Sequence, residues 1–218
     1  MIHAIVFDFD GVLADSEPLH LRTYQEVLAA LGITLTRDDY YANLLGYDDV
    51  GVFQKVGEVA GVTFDDAQIA ALIVEKARVF DDAIAAADVL YPGAVECVER
   101  MAAAYPLGIA SGALKPEIIA VLRRARLDHH FRFIVSAEDT PQSKPAPDPY
   151  ARAAALHGVP PESCLAIEDS RWGIESARAA GLHSVAITHT YAAGDLSAAE
   201  AIIDTLADLT PEFVRGLG

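Results

Sequence analysis

Cysteine is scarce in this chain, with only Cys97 and Cys164 in 218 residues. Neither the number nor the spacing makes a disulfide framework or a zinc site, so both read as buried thiols in a reducing compartment. Basic residues are also few: 16 Lys and Arg face 32 Asp and Glu, leaving a net charge of −16. So acidic a surface repels polyanions, which excludes nucleic acid and anionic lipid as partners. Long hydrophobic runs are missing too. The longest stretches free of Asp, Glu, Lys and Arg, residues 101–114 and 179–194, are broken by Pro, Gly, Ser or His and are too short to span a bilayer. No basic segment precedes the first apolar run, and Asp8 and Asp10 follow almost at once, so no signal peptide is expected and the chain reads as cytoplasmic.

What the chain does have is apolar surface. At 52% hydrophobic residues and a mean hydropathy of +0.25, it can fill one core of ordinary size and a smaller lobe. Five short apolar runs read as buried parallel strands: Ala4–Phe7, Leu107–Ala110, Phe133–Val135, Cys164–Ile167 and Ser184–Ile187. Between them the punctuation predicts helices over Ala94–Ala104, Pro116–Ala125, Pro149–His157 and Trp172–Ala180. Strands alternating with helices imply an α/β layered domain. The first two strands are separated by far more chain than one crossover needs, and residues 16–88 read as helical throughout: Leu19–Leu31, Arg37–Leu45 capped by Thr36 and closed by Gly46, Val50–Ala60 and Asp66–Ala87. This stretch holds 13 acids and 5 bases, net −8. The expected organisation is therefore a core of residues 1–15 and 89–218 with a helical lobe of residues 16–88 inserted in it.

Ligands of a parallel sheet bind beyond the carboxyl ends of its strands. Here those ends supply Asp8, Asp10, Ser111, Glu168 and Asp169. Two unit charges about 4 Å apart repel by roughly 4 kcal/mol even at an effective dielectric near 20, so clustered carboxylates call for a cation. Oxygen ligands without His or Cys favour Mg²⁺, which commonly shares its shell with a phosphorylated substrate. Asp8 and Asp10 flank a tight turn with Gly11 after them, so one carboxylate can attack while the other moves protons; a lone Asp-x-Asp equally suits a helix-capping loop. Ser111 offers a hydroxyl, and Gly112 lets backbone N–H groups approach an anion. Lys144 precedes Pro145, which favours an extended backbone from which the ammonium can reach a phosphoryl oxygen.

FDFDGVL at 7–13, IASG at 109–112, SKPAPDPY at 143–150 and IEDSRWGIESARAAG at 167–181 resemble the four ordered motifs of the haloacid dehalogenase superfamily, in particular its beta-phosphoglucomutase and small-metabolite phosphatase branch. The resemblance covers essentially the whole chain. It implies a Rossmann-like parallel sheet core flanked by helices, with an all-helical cap inserted after the first motif. It makes Asp8 the nucleophile, phosphorylated in the cycle, and a Mg²⁺ ligand. Asp10 becomes the general acid and base, with its carbonyl on the metal. Ser111 and Lys144 hold the transferring phosphoryl group, with Gly11 and Gly112 in the phosphate cradle; Asp169 ligates Mg²⁺ and Glu168 supports that site. From the cap, His20, Lys76 and Arg78 are candidates to face the substrate, and Trp172 to border it. Mutase relatives carry an arginine in a cap loop where this chain has Gly46-Tyr47-Asp48-Asp49. The expected activity is hydrolysis of a small phosphorylated metabolite, a sugar or short organic phosphate, by a monomer or weak homodimer. A phosphohexomutase is the alternative and a receiver-like phospho-switch a distant one.

Overall fold

The computed structural model describes residues 1–44, 47–84 and 87–217. The chain forms two compact units, Met1–Asp15 joined with the segment from Asp88 onward, and Ser16–Ala87.

The first unit is built on six parallel strands: β1 (Ala4–Phe7), β2 (Leu107–Ala110), β3 (Phe131–Val135), β4 (Cys164–Glu168), β5 (His183–Ile187) and β6 (Ala201–Ile203). Their order is β3-β2-β1-β4-β5-β6. Every residue of β1, β2 and β4 is buried, which is why these strands are unbroken apolar runs without polar alternation. Inside both units lie nine α-helices among the described residues: α1 (Glu17–Ala29), α2 (Arg37–Asn43), α3 (Asp49–Ala60), α4 (Asp66–Ile84), α5 (Ala94–Ala102), α6 (Lys115–Arg124), α7 (Asp148–His157), α8 (Arg171–Ala179) and α9 (Pro211–Arg215). Of these, α7 packs on β1, β2 and β3, and α8 on β4 and β5. Tyr150, Ala153 and Ala154 of α7 join Val6, Ala110, Val135 and Ala166 in one apolar cluster. The unit is a Rossmann-like sheet flanked by helices.

The second unit comprises α1 to α4. Leu28, Tyr40, Phe53, Val56 and Val79 contribute to its core. Thr36 caps α2 by accepting the Asp39 N–H at 3.1 Å, and α3 closes on Gly61 in the left-handed region, φ +72°. The expected ends of two helices, Leu45 with Gly46 and the stretch through Ala85 and Ala86, lie outside the described residues. The chain leaves and re-enters the first unit through adjacent segments: Asp15 N–H donates to the Val89 carbonyl at 2.7 Å, and Ala14 bridges Leu90 in antiparallel fashion.

Several helices begin one or two residues before the expected position. Pro18, Pro116 and Pro149 sit at the first or second helical position, so the preceding residue already belongs to the helix. β6 was not expected: three residues are too short for a period, and only pairing with β5, Val185 beside Ala201, makes them a strand. No described helix is long and apolar enough to cross a membrane.

Candidate active site at the strand ends

The sheet reverses its winding between β1 and β4, and that is where the acidic residues meet. β1 pairs with β2 on one side and β4 on the other, with Phe7 beside both Ile109 and Ile167. Asp8, the next residue, donates its N–H to the Ile167 carbonyl at 2.9 Å, and its Oδ1 accepts the Phe9 N–H at 2.7 Å. Strand register alone thus sets Asp8 beside the end of β4, where Glu168 and Asp169 stand. One carboxylate oxygen each from Asp8, Glu168 and Asp169 lies within 4.8 Å of the others, and all three residues are buried.

Lys144 enters this cluster from the loop before α7. Its Nζ lies 3.0 Å from Asp8 Oδ2 and 2.6 Å from Glu168 Oε1. The Tyr150 hydroxyl donates to the same Glu168 oxygen at 2.6 Å, and Ser170 Oγ donates to Oε2 at 3.2 Å. Glu168 therefore grips the lysine that neutralises Asp8. Gly173 makes space for it: a Cβ there would fall 1.9–2.0 Å from the Glu168 carboxylate. Gly11, at φ +77°, likewise leaves room for Asp169, whose Oδ2 would lie 1.9 Å from a Cβ at that position.

Burial is the main reason that Asp8 is pushed well above the ordinary carboxylate range; Lys144 pulls it down, and Glu168, Asp169 and Asp10 push it further up. Burial, then the Glu168 charge, raises Asp169 to about 7, against a hydrogen bond from Thr190 and the pull of Lys144. Burial alone would lower Lys144, but the carboxylates of Asp8 and Glu168 reverse the sign and hold its proton. The cluster carries more negative charge than one ammonium compensates. All converging donors are oxygens, a set that fits a hard divalent cation such as Mg²⁺.

Ser111, which follows β2, is buried; its N–H donates to the Val135 carbonyl at 2.9 Å and its Oγ accepts the Ala113 N–H at 3.1 Å. A Cβ at Gly112 would meet open space, so the fold itself does not require that glycine. The Asp10 carboxylate is not among the converging oxygens; Asp10 is half-buried and bridges Ala14 across the turn.

The residues expected to face the substrate from the helical unit have partners there. Lys76 is buried, 3.1 Å from Asp49 and over the rings of Tyr24 and Phe80. His20 stacks on Phe80 with ring centroids 4.3 Å apart, and burial, helped by the Lys76 charge, lowers it to about 3. Arg78 is exposed and bonded to Glu75 and Asp82. Trp172 meets Tyr191 edge to face at 6.0 Å. Residue reasoning gave no role to Tyr150 or Thr190. Tyr150 stood inside a quoted motif, and a buried tyrosine hydroxyl needs a partner; Thr190 had no local signal.

Residues 2–181 match the haloacid dehalogenase-like hydrolases. Protein CbbY of Rhodobacter capsulatus is 36% identical over 99% of both chains. Hexitol phosphatase B of Escherichia coli is 31% identical over 99% of this chain and 97% of its own. Among solved structures, a mutant of CbbY from Rhodobacter sphaeroides in complex with xylulose-(1,5)bisphosphate superposes with a TM-score of 0.83 at 28% identity, covering 96% of each chain. With a family match over most of the sequence and a relative aligned almost end to end, the chain belongs to the haloacid dehalogenase-like hydrolase family.

Proposed function

We propose that the protein is a Mg²⁺-dependent phosphatase that hydrolyses a small phosphorylated sugar or polyol through a phosphorylated Asp8. The observation that carries this reading is the Asp8–Lys144–Glu168 chain, which presents a buried carboxylate and an immobilised ammonium at one strand end. A relative named as a hexitol phosphatase and a neighbour solved with a ketose bisphosphate support the substrate class.

Asp8 attacks phosphorus, and the bond to the departing sugar oxygen breaks as Asp10 gives that oxygen its proton. Asp10 then takes a proton from water, which attacks the phosphoryl group and returns Asp8 as carboxylate with release of inorganic phosphate. Lys144 and the Ser111 hydroxyl hold the phosphoryl oxygens during both steps, which is most of what phosphoryl transfer asks of a protein. Asp8, Asp169 and the Asp10 carbonyl, supported by Glu168, would hold Mg²⁺, which supplies further neutralisation of the phosphoryl charge when bound.

Hydrolysis is preferred to mutase action because Asp48 and Asp49 stand where mutase relatives carry an arginine. Asp48 is occupied in accepting the Gly51 N–H at 2.8 Å, and Asp49 in pairing with Lys76 and Tyr24. The test is phosphate release from a panel of sugar and polyol phosphates with Mg²⁺. We expect turnover of at least one, lost by several orders of magnitude in Asp8→Asn with the fold intact. Unchanged turnover in that variant would overturn the nucleophile, and bisphosphate-dependent isomerisation without phosphate release would favour the mutase.

A further inference from the structure

The segment after β5, Thr188-His189-Thr190-Tyr191, has its middle two side chains tied to opposite halves of the acidic centre. His189 Nδ1 lies 3.1 Å from the Gly11 carbonyl. A carbonyl can only accept, so Nδ1 carries the proton and donates. The imidazole is held flat against Tyr91, ring centroids 3.9 Å apart and planes 23° off parallel. Thr190 Oγ1 stands on the same side of Gly11 as the Asp169 carboxylate and lowers its pKa. The two anchors converge on one point: a Cβ at Gly11 would stand 1.9 Å from Asp169 Oδ2 and 2.8 Å from Thr190 Oγ1. The turn after β1 and the carboxylate after β4 are thus clasped by a third segment that neither motif contains.

We propose that His189 and Thr190 are positioning residues: Thr190 aims the Asp169 carboxylate, His189 anchors the Gly11 turn beside it, and together they set the affinity of the acidic centre for Mg²⁺. This rests on the reading of that centre as a Mg²⁺ site. A carboxylate left to rotate must be ordered by the incoming cation, whereas one fixed by a hydroxyl is ordered beforehand; such outer partners are commonly worth 10- to 100-fold in metal affinity.

The test is a Mg²⁺ titration of the full-length protein without substrate, followed by calorimetry and by the rise in the thermal unfolding midpoint. Thr190→Val keeps the branched shape and loses only the O–H, whereas Thr190→Ser keeps the O–H and loses a methyl. We expect Thr190→Val to weaken Mg²⁺ binding about 10-fold or more and Thr190→Ser to stay within about threefold of the parent. The Mg²⁺ concentration for half-maximal phosphate release should rise in step, with kcat at saturating Mg²⁺ little changed. Should Thr190→Val fold poorly, His189→Phe, which keeps the stack on Tyr91 and loses the donor, is expected to weaken the same affinity. Parental affinity in Thr190→Val, or equal weakening in Thr190→Ser, would overturn the proposal by leaving the hydroxyl no part. An unmodified protein without measurable Mg²⁺ affinity would instead overturn the reading of the centre, and this inference with it.

Discussion

Asp169 is a carboxylate whose surroundings favour its proton up to about pH 7, and Asp8 is raised in the same direction. A group with a raised folded pKa contributes stability that is fully present below its unfolded value, near 4, and lost as pH rises through the folded one. On the proposed reading of this centre, Mg²⁺ would compete with those protons, so the stabilisation it confers should grow between about pH 4 and 7 and level off above. Urea unfolding at several pH values, with and without Mg²⁺, measures this difference; a Mg²⁺ effect independent of pH would contradict it. Taking the difference matters, because buried His20 and His157 are lowered and work in the opposite sense with or without metal. Asp139, lowered to about 2 chiefly by the Ser136 backbone N–H, acts below this window. Asp8, Lys144 and Asp169 were legible in the sequence because each stands at a strand end or beside a proline. Lys76 was expected to face the substrate, but its pairing with Asp49 was not legible, because Asp49 lies in another helix and no spacing rule connects the two.

At the scale of elements, a cap made by one side chain was readable even where helix starts were expected one or two residues late. Thr36 was expected to cap α2 and does so, with Asp39 returning to it through its own carboxylate at 2.5 Å. Replacing Thr36 by alanine leaves the Asp39 N–H without that acceptor, and the expected cost is about 1 kcal/mol, measured as a lower urea midpoint. A Thr36→Ala protein as stable as the parent would mean that solvent replaces the cap without loss. Strands were readable where they were buried on both faces, as in β1, β2 and β4. Two elements escaped: β6, whose three residues owe their conformation to β5, and α9, a single capped turn and a half starting at Pro211. The clasp of His189 and Thr190 escaped for a related reason. Their partners, Gly11 and Asp169, are neighbours only once β1, β4 and β5 lie side by side.

For the whole molecule, the order of strands explains how separated motifs meet: β1 lies between β2 and β4, whose carboxyl ends carry Asp8, Ser111, Glu168 and Asp169, and Lys144 joins them from the loop before α7. The helical unit takes no part in that order, since it is threaded between β1 and β2 without interrupting their pairing. A chain in which a short Gly-Ser linker joins Asp15 to Asp88 should therefore keep a cooperative thermal transition and its Mg²⁺-dependent rise; loss of both would show that the sheet depends on the insert. The doorway itself is narrow. Where the polypeptide departs and where it returns are held together by the peptide group of Asp15 against that of Val89. A foreign segment whose two ends meet could therefore be spliced through that gap while the strand order stays untouched.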